Sequence, residues 1–207
     1  MGTKVILVRY GNAVVPDGQP DSARRLSEIS RRQVQALRDM LRKDGFNLNS
    51  SDVVGCSSPM DRAVETVSII TGCCESDIIR MPELFTPQGE EGEILNEMFR
   101  RIGYEPLSSY FNDRCHAIKG WQALMVYSFR SWQAISDLID KRKPEILIAG
   151  GHAVLLPLTA FLPCRGAKIP TEALCNDRMP EAGAIILDVE NGKVVDLKIL
   201  PEVGVLV

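Results

Sequence analysis

The chain has 207 residues, 45% apolar and 25% charged, with 24 Lys and Arg set against 27 Asp and Glu. These proportions exclude a disordered, collagen-like or disulfide-scaffold protein, and one domain of this length buries about 70% of its unfolded surface without staples. The net charge of −3 divides into +4 over residues 1–50, −5 over 51–150 and −2 over 151–207; that basic start suits a phosphate-bearing ligand but is too weak and too balanced for nucleic acid.

Elements alternate along the chain. Lys4–Val8 is a short apolar run of the kind a buried parallel strand shows. It ends in Arg9-Tyr10-Gly11, followed by a loop with Pro16, Gly18 and Pro20. Ser27 then caps a helix whose apolar face is Ile29, Val34, Leu37 and Leu41, with basic residues in its last turn and Gly45 as its stop. Val53–Cys56 reads as a second strand, running through Ser57-Ser58-Pro59 into a helix over Asp61–Thr71, and Ile78–Met81 as a third. Past Pro82 the pattern loosens, with no convincing strand and only weak helical signals, and a lid insertion at about 85–130 is expected there. A helix over Ser131–Lys141 presents Trp132, Ile135, Leu138 and Ile139 on one face and stops at Pro144. Ile146–Ala149 is a fourth strand, and Gly150-Gly151-His152 opens a helix from Ala153. Ala184–Val189 and Lys193–Leu200 form a hairpin about Asn191-Gly192. The expected fold is α/β: one domain over 1–207, a three-layer α/β/α sandwich with a mostly parallel sheet, an antiparallel edge hairpin and a helical or looped lid.

The six cysteines show no CxxC and no regular spacing, and read as buried free thiols in a reducing compartment. No metal or other cofactor is expected, since Cys115-His116 is the one Cys/His pairing and lacks a second pair. The N-terminus reads as strand rather than as a signal peptide. The longest apolar stretch, Ile146 to Leu162, is 17 residues, broken by Gly-Gly-His and Pro157, and is shorter than the roughly 20 a membrane span needs. A cytoplasmic protein is expected, with no membrane partner.

Ligands of open parallel sheets collect beyond the carboxyl ends of the strands. Three such ends here carry groups suited to an anion: Arg9 after the first strand, Arg62 in the first turn after the second, and His152 behind two glycines after the fourth. Guanidinium forks bind phosphoryl oxygens bidentately, and a helix start offers free N–H groups. The aromatic residues between 104 and 132 are weighted toward packing, and the arginines of 24–42 toward a solvated face.

Val8-Arg9-Tyr10-Gly11, Ser57-Ser58-Pro59-Met60-Asp61-Arg62-Ala63 and Gly150-Gly151-His152 together resemble the histidine phosphatase superfamily, the phosphoglycerate mutase-like fold. The stretch from Asp21 to Ser27 looks closest to small bacterial phosphohistidine phosphatases. The resemblance covers residues 3–72 and 145–200 well and the middle poorly. It implies phosphate-clamping roles for Arg9 and Arg62, a phosphoryl-stabilising role for His152, and a pocket-lining place for Asn12. The family's proton donor follows the third strand, where Glu83 is the candidate, with Glu90 and Glu91 behind it. Asp21 and Arg24 read as a loop salt bridge.

One departure outweighs these agreements. The family signature is Arg-His-Gly, its histidine being the nucleophile that becomes phosphorylated, and this chain has Tyr10 in that place. A phenol, with an ordinary pKa of about 10, is mostly protonated at neutral pH and needs a base before it can attack. The resemblance therefore implies a pocket for phosphate, a phosphorylated small molecule or a phosphoprotein side chain, with the covalent route lost or severely impaired. The alternatives are an active phosphomonoesterase working through Tyr10 or water, and an engineered exchange at Tyr10 in an active phosphatase.

Overall fold

The computed structural model describes residues 2–14 and 23–200; the loop prolines and Asp21, with the pair it was expected to make with Arg24, lie outside them. Six strands form one sheet in the order β5-β4-β6-β1-β7-β8: β1 (Thr3–Arg9), β4 (Val53–Ser57), β5 (Ile79–Arg80), β6 (Ile146–Gly151), β7 (Ala184–Glu190) and β8 (Lys193–Leu200). β5, β4, β6 and β1 run parallel, while β7 and β8 add antiparallel. A two-residue ribbon, β2 (Ala13–Val14) with β3 (Arg25–Leu26), stands apart.

Alternation along β1 sends side chains to both faces, as expected for a strand buried on each side. Val5 and Leu7 join one apolar cluster with Leu147, Ile135 and Leu156, whereas Ile6 and Val8 join another with Leu37, Val64 and Ile148. Helices α1 (Glu28–Lys43) and α2 (Asp61–Thr71) cover the second face, and α5 (Ala117–Arg142) with α6 (Leu155–Gly166) the first. This is the three-layer sandwich expected from the alternation of elements. The hairpin turn is also found, with φ of 50° at Asn191 and 75° at Gly192, the left-handed pair that a two-residue turn requires.

Several boundaries differ. Ser27 caps α1 as expected, accepting from the Ser30 N–H at 3.2 Å, but Ile29 is 62% exposed. The buried stripe is Ser30, Val34, Leu37 and Leu41. Ser30 takes the buried place because Gly11 closes on it: a Cβ at Gly11 would meet the Ser30 Cβ at 2.7 Å, so both residues must be small.

The helix expected to begin at Ser131 begins at Ala117 and runs 26 residues to Arg142, and that expected from Ala153 begins at Leu155. Residues 85–130 thus hold α3 (Glu90–Ile102), α4 (Leu107–Phe111) and the first half of α5. Together with α6 they build a third apolar cluster around Leu95, Met98, Tyr110, Leu124 and Leu158. A short helix, α7 (Glu172–Asn176), follows α6. The cysteines are all free, yet Cys73, Cys74 and Cys115 are exposed, contrary to the buried thiols expected. Among the described residues no helix is long and apolar enough to cross a membrane.

Candidate functional site at the strand ends

Strand register assembles the site. Arg9 pairs with Gly151 across β1 and β6, and Ser57 pairs with Gly150 across β4 and β6. The next residue of each strand, Tyr10, His152 or Ser58, therefore emerges at one edge from three neighbouring strands, about 4.8 Å apart. The Ser58 N–H extends the ladder by donating to the Gly150 carbonyl at 2.9 Å.

His152 is the centre of this edge. Its Nδ1 lies 3.2 Å from the Tyr10 hydroxyl and its Nε2 lies 3.1 Å from the Ser58 hydroxyl, so both ring nitrogens are engaged. The Tyr10 ring meets the imidazole edge-on at a centroid distance of 5.1 Å, and Phe85 packs on it at 4.9 Å. Burial, reinforced by the positive charges of Arg62 and Arg9, pushes the His152 pKa down to about 3. At neutral pH the imidazole is uncharged, with one donor and one acceptor nitrogen, a pattern that two hydroxyls satisfy in either sense.

Arg62 enters from the first turn of α2 and is buried, with its guanidinium over the Tyr10 ring at 4.7 Å from the centroid. Arg9 leaves the end of β1 and stands 5.5 Å from the Tyr104 ring centroid while donating from Nη1 to the Met179 carbonyl. A cavity of about 300 Å³ opens beside these groups, lined by Tyr10, Arg62, Phe85, Phe99, Tyr104 and His152 among others. Asn12 is held by its backbone, which donates N–H to Glu181 Oε2 at 3.1 Å and accepts from the Ser27 N–H.

The acidic candidates stand elsewhere. Glu83, in the single turn Pro82–Leu84, is exposed and lines an adjoining cavity of about 400 Å³ with Arg130 and Gln88. The two cavities share Phe85 and Thr86. Glu90 and Glu91 begin α3 on the surface, Glu90 paired with Lys119 at 3.0 Å. Ser58, Phe85 and Glu181 are the site neighbours that sequence reasoning missed, and of these only Ser58, inside the second motif, carried a signal that could have found it; Tyr104, weighted toward packing, is exposed and lines the cavity. Arg25 and Arg31, weighted toward a solvated face, bond Glu65, a buried carboxylate on α2 that also accepts the Leu26 N–H at 3.0 Å.

The open parallel sheet gathers cationic and imidazole groups at three adjacent strand ends, the place where α/β/α proteins of this class collect their ligands. The sequence model of the histidine phosphatase superfamily (branch 1) matches residues 5–195, and the chain belongs to that family. No curated protein matches the chain. Among solved structures it is similar to an alpha-ribazole phosphatase from Shigella flexneri, with 21% identity, a TM-score of 0.58 and 96% of each chain covered. It is similar to a protein described as the phosphohistidine phosphatase SixA of Agrobacterium tumefaciens (16% identity, TM-score 0.54, 95% of this chain and 97% of that one). A third is a mutant phosphoserine phosphatase from Entamoeba histolytica solved with phosphoserine (17% identity, TM-score 0.56, 93% and 94%). At these identities the likeness speaks for the fold.

Proposed function

We propose that this protein binds a phosphorylated small molecule or a phosphorylated protein side chain in the cavity bounded by Arg62, His152 and Tyr10, with Arg9 and Asn12 as further phosphate contacts, and that it is impaired in covalent turnover. The observation that carries this reading is the Tyr10–His152 contact at 3.2 Å. The position that family resemblance assigns to the nucleophilic imidazole bears a phenol instead, already hydrogen-bonded to the remaining histidine. Phosphoryl recognition needs only the guanidinium groups and a neutral donor, all of which survive the exchange. The Entamoeba structure, a histidine-to-alanine mutant in complex with phosphoserine, supports phospho-ligand binding by this fold with a histidine replaced. We further propose that α3 and α4 with the start of α5 form a lid that shapes the ligand, that no metal takes part, and that the free thiols belong to a cytoplasmic protein.

The same contact favours a second reading, in which His152 takes the Tyr10 proton and the phenolate attacks. The pKa of His152, depressed to about 3, ranks this route lower, because so weak a base is a poor acceptor for a phenol proton. Hydrolysis of an aryl phosphate by the parent and by Tyr10→His separates the two. A parent near background and a Tyr10→His gain of about a hundredfold or more support the binding role. A parent with activity that Tyr10→Phe abolishes would overturn it. Calorimetry with vanadate should find the parent binding and Arg62→Ala weaker by about 10- to 100-fold, the worth of a charge-assisted contact.

A further inference from the structure

Glu181 sits on the turn that leads into β7, and its carboxylate lies where two anion-binding donors converge. Its Oε2 accepts the Asn12 N–H at 3.1 Å, and its Oε1 lies 3.9 Å from Arg9 Nη2. Arg9 Nη1 is taken by the Met179 carbonyl, and Arg9 Nε is buried with no hydrogen-bond partner among the described residues. The free face of this guanidinium thus already meets a negative charge.

The backbone holds that charge in place at a cost. The Gly183 N–H donates to the Pro180 carbonyl at 3.0 Å, closing a four-residue turn about Glu181 and Ala182. Ala182 has φ of 50° and is fully buried in the cluster of Ile6 and Val8, although turns with a positive third residue ordinarily take glycine there. The Gly183 carbonyl accepts the Arg9 N–H at 3.0 Å, which ties the strained turn to the last residue of β1. Strain of this kind persists only where the surroundings over-determine it, and it collects at ligand clamps.

We propose that Glu181 is a specificity-determining residue, an internal anion that competes with an incoming phosphoryl group for Arg9 and the Asn12 N–H. This rests on the phosphate-binding reading above. A phosphoryl group gains both donors only by displacing the carboxylate toward solvent, and a Glu181 side chain that is 40% exposed has room to swing out. The residue therefore raises the ligand threshold: it selects against free orthophosphate and for esters whose remaining contacts offset the displacement.

Calorimetric titration with orthophosphate of the parent, Glu181→Gln and Glu181→Asp tests this, with melting curves as the folding control. Gln keeps the length and an acceptor for Asn12 while removing the charge, so orthophosphate should bind about tenfold more tightly. Asp retains the charge and should stay near the parent. Unchanged or weaker binding in Glu181→Gln, with Arg62→Ala still weakened, would overturn the competition while leaving the phosphate-binding reading intact. Absence of binding in every variant would overturn both.

Discussion

His152 sits at the end of a buried strand between two hydroxyls, and its protonation is coupled to folding. Its pKa in the fold, about 3, lies below the ordinary histidine value of 6.5. Between those two values the unfolded chain holds a proton that the folded chain does not, so folding loses stability as pH falls through 6.5 toward 3, by up to about 1.4 kcal/mol per pH unit. Above 6.5 this contribution is complete and flat. Melting temperatures of the parent and of His152→Gln between pH 7 and 4 isolate it from the carboxylates common to both. The parent should lose more over that range; parallel curves would mean that the imidazole takes up its proton in the fold as readily as in water. The neutral ring also explains why Arg62 and His152 tolerate one another at close quarters.

Helix α2 carries Arg62, and its seat on the sheet depends on small residues beneath it. A Cβ at Gly150 would stand 2.6 Å from Val67 Cγ2 and 2.8 Å from the Ala63 carbonyl oxygen, both on α2. Gly150→Ala should therefore push the helix away from β6 and cost about 1–3 kcal/mol, the usual penalty of overpacking. Urea unfolding measures that cost, and vanadate titration should show weakened binding as Arg62 is displaced. Unchanged stability together with unchanged binding would show that α2 yields without moving its first turn. Elements also set what could be read from the sequence. Helix α1 has one buried stripe and was legible apart from Ile29, which its first turn carries into solvent. Helix α5 buries Ala123, Leu124 and Tyr127 while leaving Ile118, Trp121 and Phe129 exposed, so apolar residues on opposite sides blurred the 3.6-residue pattern over its first half.

Across the whole molecule, the apolar cluster on the α5–α6 face of the sheet, which holds Cys56 and Cys164, decides which thiols can react. Cys56 and Cys164 are buried, and burial pushes both thiols up to about 12. Cys73, Cys74 and Cys115 are exposed, and Cys175 is half-buried. A thiol reagent at neutral pH should modify the three exposed cysteines first and Cys175 slowly, with Cys56 and Cys164 reached only as the domain unfolds. Early modification of Cys56, which lies in β4 next to the short edge strand β5, would mean that this side of the sheet opens below the global transition.

The sequence by itself determined the alternation of the main strands and helices on either side of residues 85–130, the parallel sheet with its edge hairpin, and the three strand ends that carry Arg9, Arg62 and His152. All of these are local signals: short apolar runs, a serine cap, an Asn-Gly turn, and motifs a few residues long. Tertiary structure alone decided that Ser58 and Tyr10 share one imidazole, that Glu83 faces the neighbouring cavity, and that Glu181 meets Arg9 and Asn12. The partners of His152 and of Glu181 stand 94 to 172 residues from them in the chain. Their meeting depends on strand register and on where each loop returns, and no local periodicity encodes either.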